Sequence, residues 1–479
     1  MKMTSLAKVA CGLLGILSWL TADISVAQVD STAKELLLKP FPAELLKSDF
    51  NSLGSCGLVA VKGDLSDPAT SISGTNGFGL ICGVKTKNTP KIWFARIAAD
   101  GTYLKGHFLD QLVKRIEYAY QDGSILGLAN TSIPAFIMFD PQGKIVWQYQ
   151  IKTAENLAAE DIAITQVKDG YVITYYSHMG AQASSQGINY KLLKIGIEKI
   201  DRYGKIIWTN ELKEPIQENA ALFGENGEAV TIETLQDSKF AVSITTRFLD
   251  ADNNPSAIHY EVHYYNMDGT WKYRRGFNVK DAAANADQAF SVDPNGNMIF
   301  IGYTGESQED WQTLQQLQFI FFNSDGQIVW RQPIVPSIPP QTDTKVGAIC
   351  MLWKALTDPQ GDNVVICEQR YADVNGWVSD PSYNQLMAYR FNQEGKEISM
   401  TPLLNGEEVG KNSYFESEGE VTPVGKNVAF SQGQLLIGLT KPMVELSKAE
   451  LDQLMLPKNS LQIGEKLGIK IYQFSLPSK

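Results

Sequence analysis

Phe139-Asp140-Pro141-Gln142-Gly143-Lys144-Ile145-Val146-Trp147 is a tight turn running into an apolar strand that reaches a tryptophan. Asp at the first turn position can bond its own backbone two residues on, and Gly at the fourth supplies the positive φ of a type I turn with a bulge, so the phrase reads as a β-hairpin. It returns as Ile200-Asp201-Arg202-Tyr203-Gly204-Lys205-Ile206-Ile207-Trp208 and Phe322-Asn323-Ser324-Asp325-Gly326-Gln327-Ile328-Val329-Trp330. Looser copies are Asn266-Met267-Asp268-Gly269 with Trp271, Asn392-Gln393-Glu394-Gly395, and Ala98-Ala99-Asp100-Gly101 with Tyr103. Five of the six copies open on Asp or Asn and all six carry the Gly, which marks a structural repeat.

The turn glycines at 101, 143, 204, 269, 326 and 395 are 42, 61, 65, 57 and 69 residues apart. Periods in this range, with about four short strands each, predict an all-β propeller of four-stranded blades rather than a solenoid. Seven blades fit best, with six or eight as alternatives. They run over about 56–110, 114–153, 160–214 (with a polar insert at 177–189), 228–280, 287–336, 346–406 and 418–474. Pro333–Pro340 holds four prolines and is read as a crossing between blades rather than a central strand. The segment near 35–40 looks like the strand after a turn, and Gly468–Phe474 like the strand before one. That predicts a ring closed by the amino-terminal strand completing the last blade, which removes exposed sheet edges. Ser447 with Glu450 is a capping-box pattern, predicting one short helix near 448–455.

Residues 1–27 read as an export signal: Lys2 and Lys8, the apolar run Val9–Leu20, and a small-residue site at Ser25-Val26-Ala27. The run is too short to span a bilayer, and no later stretch approaches the roughly 20 apolar residues a span needs. Residues 28–479 are therefore expected to be a single propeller domain without membrane insertion, periplasmic or secreted. Losing Lys2, Lys8 and Asp23 takes 42 basic and 53 acidic residues to 40 and 52, a formal charge of −12. An acidic chain without a basic cluster argues against nucleic acid as partner. Four cysteines remain, Cys56, Cys82, Cys350 and Cys367, and an even count in an exported chain points to disulfides. Cys350 and Cys367 flank the turn Asp358-Pro359-Gln360-Gly361 and are paired on that ground, Cys56 with Cys82 by remainder; buried thiols are the alternative.

Three constellations bear chemistry. Asp250, Asp252 and Asn254, followed by Glu261, occupy positions 1, 3, 5 and 12 of a calcium-loop template, although Pro255 stands where that template needs Gly. His259, Glu261 and His263 alternate along a strand and leave one face, a set that can hold zinc or, more ordinarily, pack. His107 and His178 are isolated, so no Ser-His-Asp relay can be assembled. Finally, the long loops before the third strand of several blades place aromatics beside acids: Glu309-Asp310-Trp311, then Tyr371, Asp373, Trp377, Asp380 and Tyr383. Trp311, Tyr371, Trp377 and Tyr383 offer large contact area with a polar edge, suited to a protein or a sugar ring.

The phrase Asp-x-x-Gly-Lys-Ile-x-Trp, as in Asp140–Trp147, resembles the repeat of the quinoprotein-like (PQQ-like) propeller superfamily over most of the chain after residue 27. The resemblance implies a propeller fold and either a quinone-cofactor dehydrogenase or a non-enzymatic propeller. This sequence lacks the adjacent cysteines of the quinoprotein alcohol dehydrogenases, and their calcium ligands and catalytic aspartate match no motif here. The sialidase Asp-box also differs, since Trp follows Gly by four residues rather than three. The reading therefore favours the non-enzymatic branch: an exported, non-catalytic binding or scaffold propeller that recognises a protein or carbohydrate through its long-loop face. No cofactor is expected. A calcium-dependent or pyrroloquinoline quinone enzyme is the alternative.

Overall fold

The structure is a computed structural model, and it describes residues 34–37, 50–63, 75–86, 89–98, 102–129, 133–153, 159–184, 187–212, 220–222, 230–235, 238–249, 255–280, 289–293, 295–303, 317–333, 347–357, 361–373, 376–377, 385–404, 428–431, 434–438 and 470–475. Every regular element among them is a strand.

β1 (Lys34–Leu37) comes first in the chain but belongs to the last sheet. β2 (Phe50–Lys62), β3 (Thr75–Thr86), β4 (Lys91–Ile97) and β5 (Tyr103–Phe108) form the first antiparallel four-stranded unit. The second is β6 (Arg115–Tyr120), β7 (Ile125–Ala129), β8 (Ala135–Phe139) and β9 (Ile145–Gln150). β10 (Ala159–Val167), β11 (Gly170–Ser184), β12 (Gly187–Asp201) and β13 (Ile206–Glu211) make the third. In the fourth, β14 (Ala220–Leu222) and β15 (Val230–Leu235) share one edge of β16 (Lys239–Leu249), followed by β17 (Pro255–Asn266) and β18 (Trp271–Lys280). The fifth holds β19 (Ala289–Val292), β20 (Met298–Tyr303), β21 (Leu317–Phe322) and β22 (Ile328–Pro333). The sixth holds β23 (Gly347–Thr357), β24 (Asn363–Asp373), a short β25 (Gly376–Trp377) folded back on β24, β26 (Gln385–Phe391) and β27 (Glu397–Leu404). In the last sheet, β28 (Val428–Ser431), β29 (Gln434–Gly438) and β30 (Lys470–Ser475) are joined by β1, with Leu36 opposite Ile471. β2 also meets β6 in a short parallel bridge, Val61 opposite Ala119.

Sequence and burial agree within a unit. The inner strands β7 (ILGLA) and β8 (AFIMF) are buried at every position, because another sheet covers each face. The outer strand β9 (IVWQYQ) is mostly exposed and buries chiefly Trp147 and Tyr149. The core is accordingly a series of interfaces between consecutive units. Val61 and Phe94 meet Ile125 and Phe139; Phe136 and Met138 meet Tyr171 and Ile173; Val172 and Ile197 meet Phe240 and Val242. Tyr260 and Tyr264 meet Phe300 and Phe322, and Phe321 and Trp330 meet Tyr389 and Phe391. Small antiparallel sheets packed face to face in chain order are the architecture of a β-propeller.

The repeated turn fastens three of these interfaces. Asp140 Oδ1 accepts hydrogen bonds from the backbone of Gln142 (2.8 Å) and Lys144 (2.9 Å), and the Gly143 N–H closes the turn on the Asp140 carbonyl at 2.9 Å. Asp201, Asn323 and Asn392 repeat the bond to the fifth residue of their turns. The tryptophan then leaves its own unit for the next one. Trp147 Nε1–H donates to Arg202 O (2.9 Å), Trp208 to Met267 O (3.3 Å) and Trp330 to Gln393 O (2.9 Å), in each case the second residue of the following unit's turn. The ring lies on the turn glycine: a Cβ on Gly204 would stand 2.7 Å from Trp147, and one on Gly395 2.2 Å from Trp330. Gly is therefore required twice over, for its φ of +77 and +78° and for this contact. Trp147, Trp208 and Trp330 thus wedge between consecutive units.

Two expectations change. The polar insert at 177–189 is no irregular loop: β11 and β12 pair from Gly170 opposite Asp201 out to Ser184 opposite Gly187, a two-stranded ribbon. Cys350 and Cys367 are out of register, Cys350 standing opposite Gln369 and Cys367 opposite Leu352, and Cys367 is a buried thiol rather than half of a bridge. Cys82 is disulfide-bonded, and its register partner is Cys56. The turn at Gly101 and the helix expected near 448–455 lie outside the described residues.

Candidate functional site

Each unit has two ends. One carries the short repeated turns between third and fourth strands; the other carries the connections between second and third strands, and there the strands themselves are lengthened. β10 reaches only to Ser177 of β11, and β13 only to Gly196 of β12, so the ribbon beyond those points keeps both edges open. β16 and β17 run on to Leu249 opposite Pro255, with β14 added along Thr246–Phe248. β24 continues past its last pairing with β26 at Gln369 to Asp373, where β25 returns and sets Trp377 opposite Ala372. Tyr371, one residue before Ala372, pairs with Ala348 of β23, so the structure brings the Tyr371 and Trp377 backbones to one sheet end. Trp311 and Tyr383 lie outside the described residues, in the second-to-third connections of the fifth and sixth units.

Of the expected calcium set only Glu261 is among the described residues. Asp250, Asp252 and Asn254 lie outside the described residues, in the β16–β17 connection, whereas Glu261 stands midway along β17 opposite Ile244 and Gly276. Its Oε1 is 2.9 Å from Arg274 Nη1 and 3.2 Å from His263 Nε2, and its Oε2 is 3.8 Å from His259 Nε2. Burial pushes this carboxyl up, but the contact and charge of His263 and the charges of His259 and Arg274 outweigh it and hold Glu261 below the usual carboxylate range. A guanidinium already occupies the oxygen a cation would need. Among the described residues no group of three or more His, Cys, Asp or Glu is arranged to hold a metal ion.

A second polar region went unrecognised in the sequence. It lies on the first strands of the first four units, near the ends that lead into the second strands. The Tyr118 hydroxyl of β6 donates to Ile164 O (3.2 Å) and accepts from the Gln166 N–H (3.1 Å) of β10. Thr165 and Thr234 share a hydroxyl–hydroxyl bond of 2.8 Å between β10 and β15, and Thr234 Oγ1 also lies 2.8 Å from Gln166 O. Arg115 is held by Glu117 and by the Ile162 carbonyl. Tyr120 and Tyr171 bond through their hydroxyls at 2.7 Å. Burial raises the Tyr118, Tyr120 and Tyr171 hydroxyls above the ordinary phenol range, so they stay protonated. One group differs from these. Lys62, ending β2, places Nζ 4.3 Å above the Tyr118 ring, and burial lowers its ammonium to about 8 against a smaller upward pull from Glu233.

Further out, Glu198 is buried between the second and third units and accepts hydrogen bonds from Tyr149 and, at 2.9 Å, from Tyr175. Arg390 and Asp362 form a buried pair at 3.0 Å. Such groups join strands and sheets. The one signal of this region in the chain is a lysine closing the apolar run Leu58–Val61; nothing in the spacing points to Glu233.

No protein-family model and no curated protein sequence matches the chain. Solved structures similar to it include an oligogalacturonate lyase in complex with manganese, 10% identical over 88% of this chain and 91% of that one, with a TM-score of 0.44. The β-propeller domain of the Trilobed protease from Pyrococcus furiosus, of open velcro topology, is 7% identical over 81% and 92%, with a TM-score of 0.39. The WD40 domain of SCAP from fission yeast is 8% identical over 94% and 99%, with a TM-score of 0.35. Activity is argued from this chain's own residues.

Proposed function

We propose that the chain is an exported, non-catalytic binding scaffold: a seven-bladed propeller, closed by β1 on β30, that presents its second-to-third connections to a protein or glycan. One observation carries this reading, the lengthening of paired strands at the end of the sheets that holds the second-to-third connections. The extended ribbon of β11 and β12, the taller β16–β17 hairpin and the β24–β25 return all rise at that end, while the opposite end repeats one short turn. Scaffolds vary where they bind and repeat where they pack. Seven units, five of four strands and two with a fifth short strand, and the position of β28 and β29 beside β2 support the closed ring. The disulfide at Cys82 supports an oxidising compartment, periplasmic or extracellular. Kinship with the non-enzymatic quinoprotein-like propellers rests on the repeat phrase, and no cofactor enters the reading.

The test compares residues 28–479 with the Trp311→Ala/Trp377→Ala variant on a glycan array and in crosslinking to proteins of the same compartment. The expected result is a defined set of bound species that the variant loses at unchanged melting temperature. Equal capture by both proteins overturns the reading. A rise in melting temperature that needs calcium together with pyrroloquinoline quinone replaces it with the dehydrogenase.

A further inference from the structure

The β11–β12 ribbon leaves the third unit as a pair of strands. β10 last meets β11 at Ser177 and β13 last meets β12 at Gly196, so among the described residues 178–184 of β11 and 187–195 of β12 present unpaired outer edges. An open edge is a template for another strand, and proteins ordinarily guard it with charge or proline. Outer strands elsewhere in the chain are guarded in this way: β13 carries Glu211, β18 carries Lys272, Arg274, Arg275 and Lys280, β22 carries Arg331 and Pro333, and β27 carries Glu397 and Pro402.

The two edges of the ribbon differ. On β12 the edge holds Lys191 and Lys194. On β11 it reads His178-Met179-Gly180-Ala181-Gln182-Ala183-Ser184, without proline, carboxylate, lysine or arginine, in a chain of which 20% is charged. Register shifts lie at Met179, and from Ala181 opposite Tyr190 to Ser184 opposite Gly187 the pairing is regular, so the outward backbone groups there alternate as a further strand requires. Charge decides the occupant. The whole chain carries a formal charge of −11, so two copies repel over most approaches. A neutral strand that projects roughly 20 Å beyond its sheet lets them meet without opposing like charges. About a two-fold axis such a strand is its own antiparallel partner, whereas the same operation on β12 brings lysines together.

We propose that the outer edge of β11 is a self-association site: residues 178–184 pair antiparallel with the same residues of a second copy of this chain, joining two ribbons into one continuous sheet. The edge is too short to bury the roughly 1,200 Å² of a stable interface, so the pairing is weak and set by concentration. Trp311 and Trp377 belong to other units and take no part, so failure of the pairing leaves the partner-binding reading untouched.

Sedimentation equilibrium of residues 28–479 at concentrations from about 5 to 500 µM tests it. The mass of the wild-type protein rises from that of one chain toward that of two. Ala181→Lys/Ala183→Lys and Ala181→Glu/Ala183→Glu each set like charges against each other across the two-fold axis and raise the dissociation constant about tenfold or more. An equimolar mixture of the two variants restores the dimer, because Lys then faces Glu, a rescue that requires direct contact between ribbons. In the concentrated wild-type protein, amide hydrogen exchange slows at 178–184 and not at 187–195. The wild-type mass and exchange decide the matter even if a variant fails to fold. A wild-type monomer at the highest concentration, an unchanged dimer in both variants, a mixture that stays monomeric, or protection at 187–195 alone each overturns the pairing. A monomer that captures a foreign protein, and loses it in Ala181→Lys/Ala183→Lys, overturns it too and assigns the edge to a strand of that protein.

Discussion

At one end of the sheets three tryptophans make the same bond to the same turn position of the next unit; at the other, the connections between second and third strands range from two residues (185–186) to 31 (439–469). The repeated end answers a packing demand, because each outer strand must be fastened to its neighbour and the indole does so with one ring and one N–H. The varied end answers no such demand. Strand pairing there continues beyond the sheets in the β11–β12 ribbon. Variation in a repeat protein collects where packing does not forbid it, and that is where a partner can select for it.

The sharpest way to break the contrast is to remove a fastening. Trp330 is 8% exposed and stacks on Phe319 and Phe321 while bonding Gln393 O, so Trp330→Ala is expected to cost about 3–5 kcal/mol, read as a fall in urea midpoint. Trp147 and Trp208 are less buried, and their truncations are expected to cost less. Equal losses at all three would mean that the hydrogen bond, not the buried area, governs the fastening.

The turn glycines separate backbone strain from contact. Gly395 and Gly326 share a φ near +80°, but a Cβ on Gly395 would strike the Trp330 ring at 2.2 Å, while one on Gly326 would meet only the flexible Arg275 side chain at 3.4 Å. Gly326→Ala should show the conformational cost alone, about 1–3 kcal/mol. Gly395→Ala should show that cost plus displacement of the indole, and a melting temperature below that of Gly326→Ala checks it. Equal melting temperatures would remove the indole from the account.

Lys62 lies towards the repeated end yet follows the logic of the other. Its ammonium is lowered from 10.5 to about 8 in the folded chain, so below pH 8 the folded state bears the cost of a charge it holds poorly, and above pH 10.5 neither state is charged. Lys62→Met should therefore be more stable than wild type at pH 7, with the advantage shrinking as pH rises from 8 to 10.5. Melting temperatures of the two proteins across that range check the sign. A packing lysine would lose stability on substitution at every pH.

The repeated end was legible in the sequence because its demands are local: Asp140, Gly143 and Trp147 lie within eight residues, and each reports a backbone or ring requirement that its own chemistry imposes. The varied end was legible only as length. The ribbon at 179–190 is rich in Gly, Ala, Ser and Gln, which carry no apolar alternation, yet two strands can pair through backbone groups alone. Cys350 and Cys367 looked opposed because both flank one turn, but opposition depends on register, which placed Gln369 across from Cys350. Lys62 and Tyr118 meet through topology, since β2 and β6 run side by side, and no spacing along the chain encodes that.

The smallest expected effect is the most informative about the varied end. Trp377 pairs through its backbone with Ala372 in a return strand of two residues, beyond the last pairing of β24 with β26. Trp377→Ala leaves that pairing intact and should move the melting temperature by less than the roughly 0.5 kcal/mol typical of surface changes. If stability holds and capture of the bound species is lost, the tryptophan serves the partner. If the protein is destabilised as Trp330→Ala destabilises it, the indole packs on the sheets, and the two ends of the molecule obey one rule instead of two.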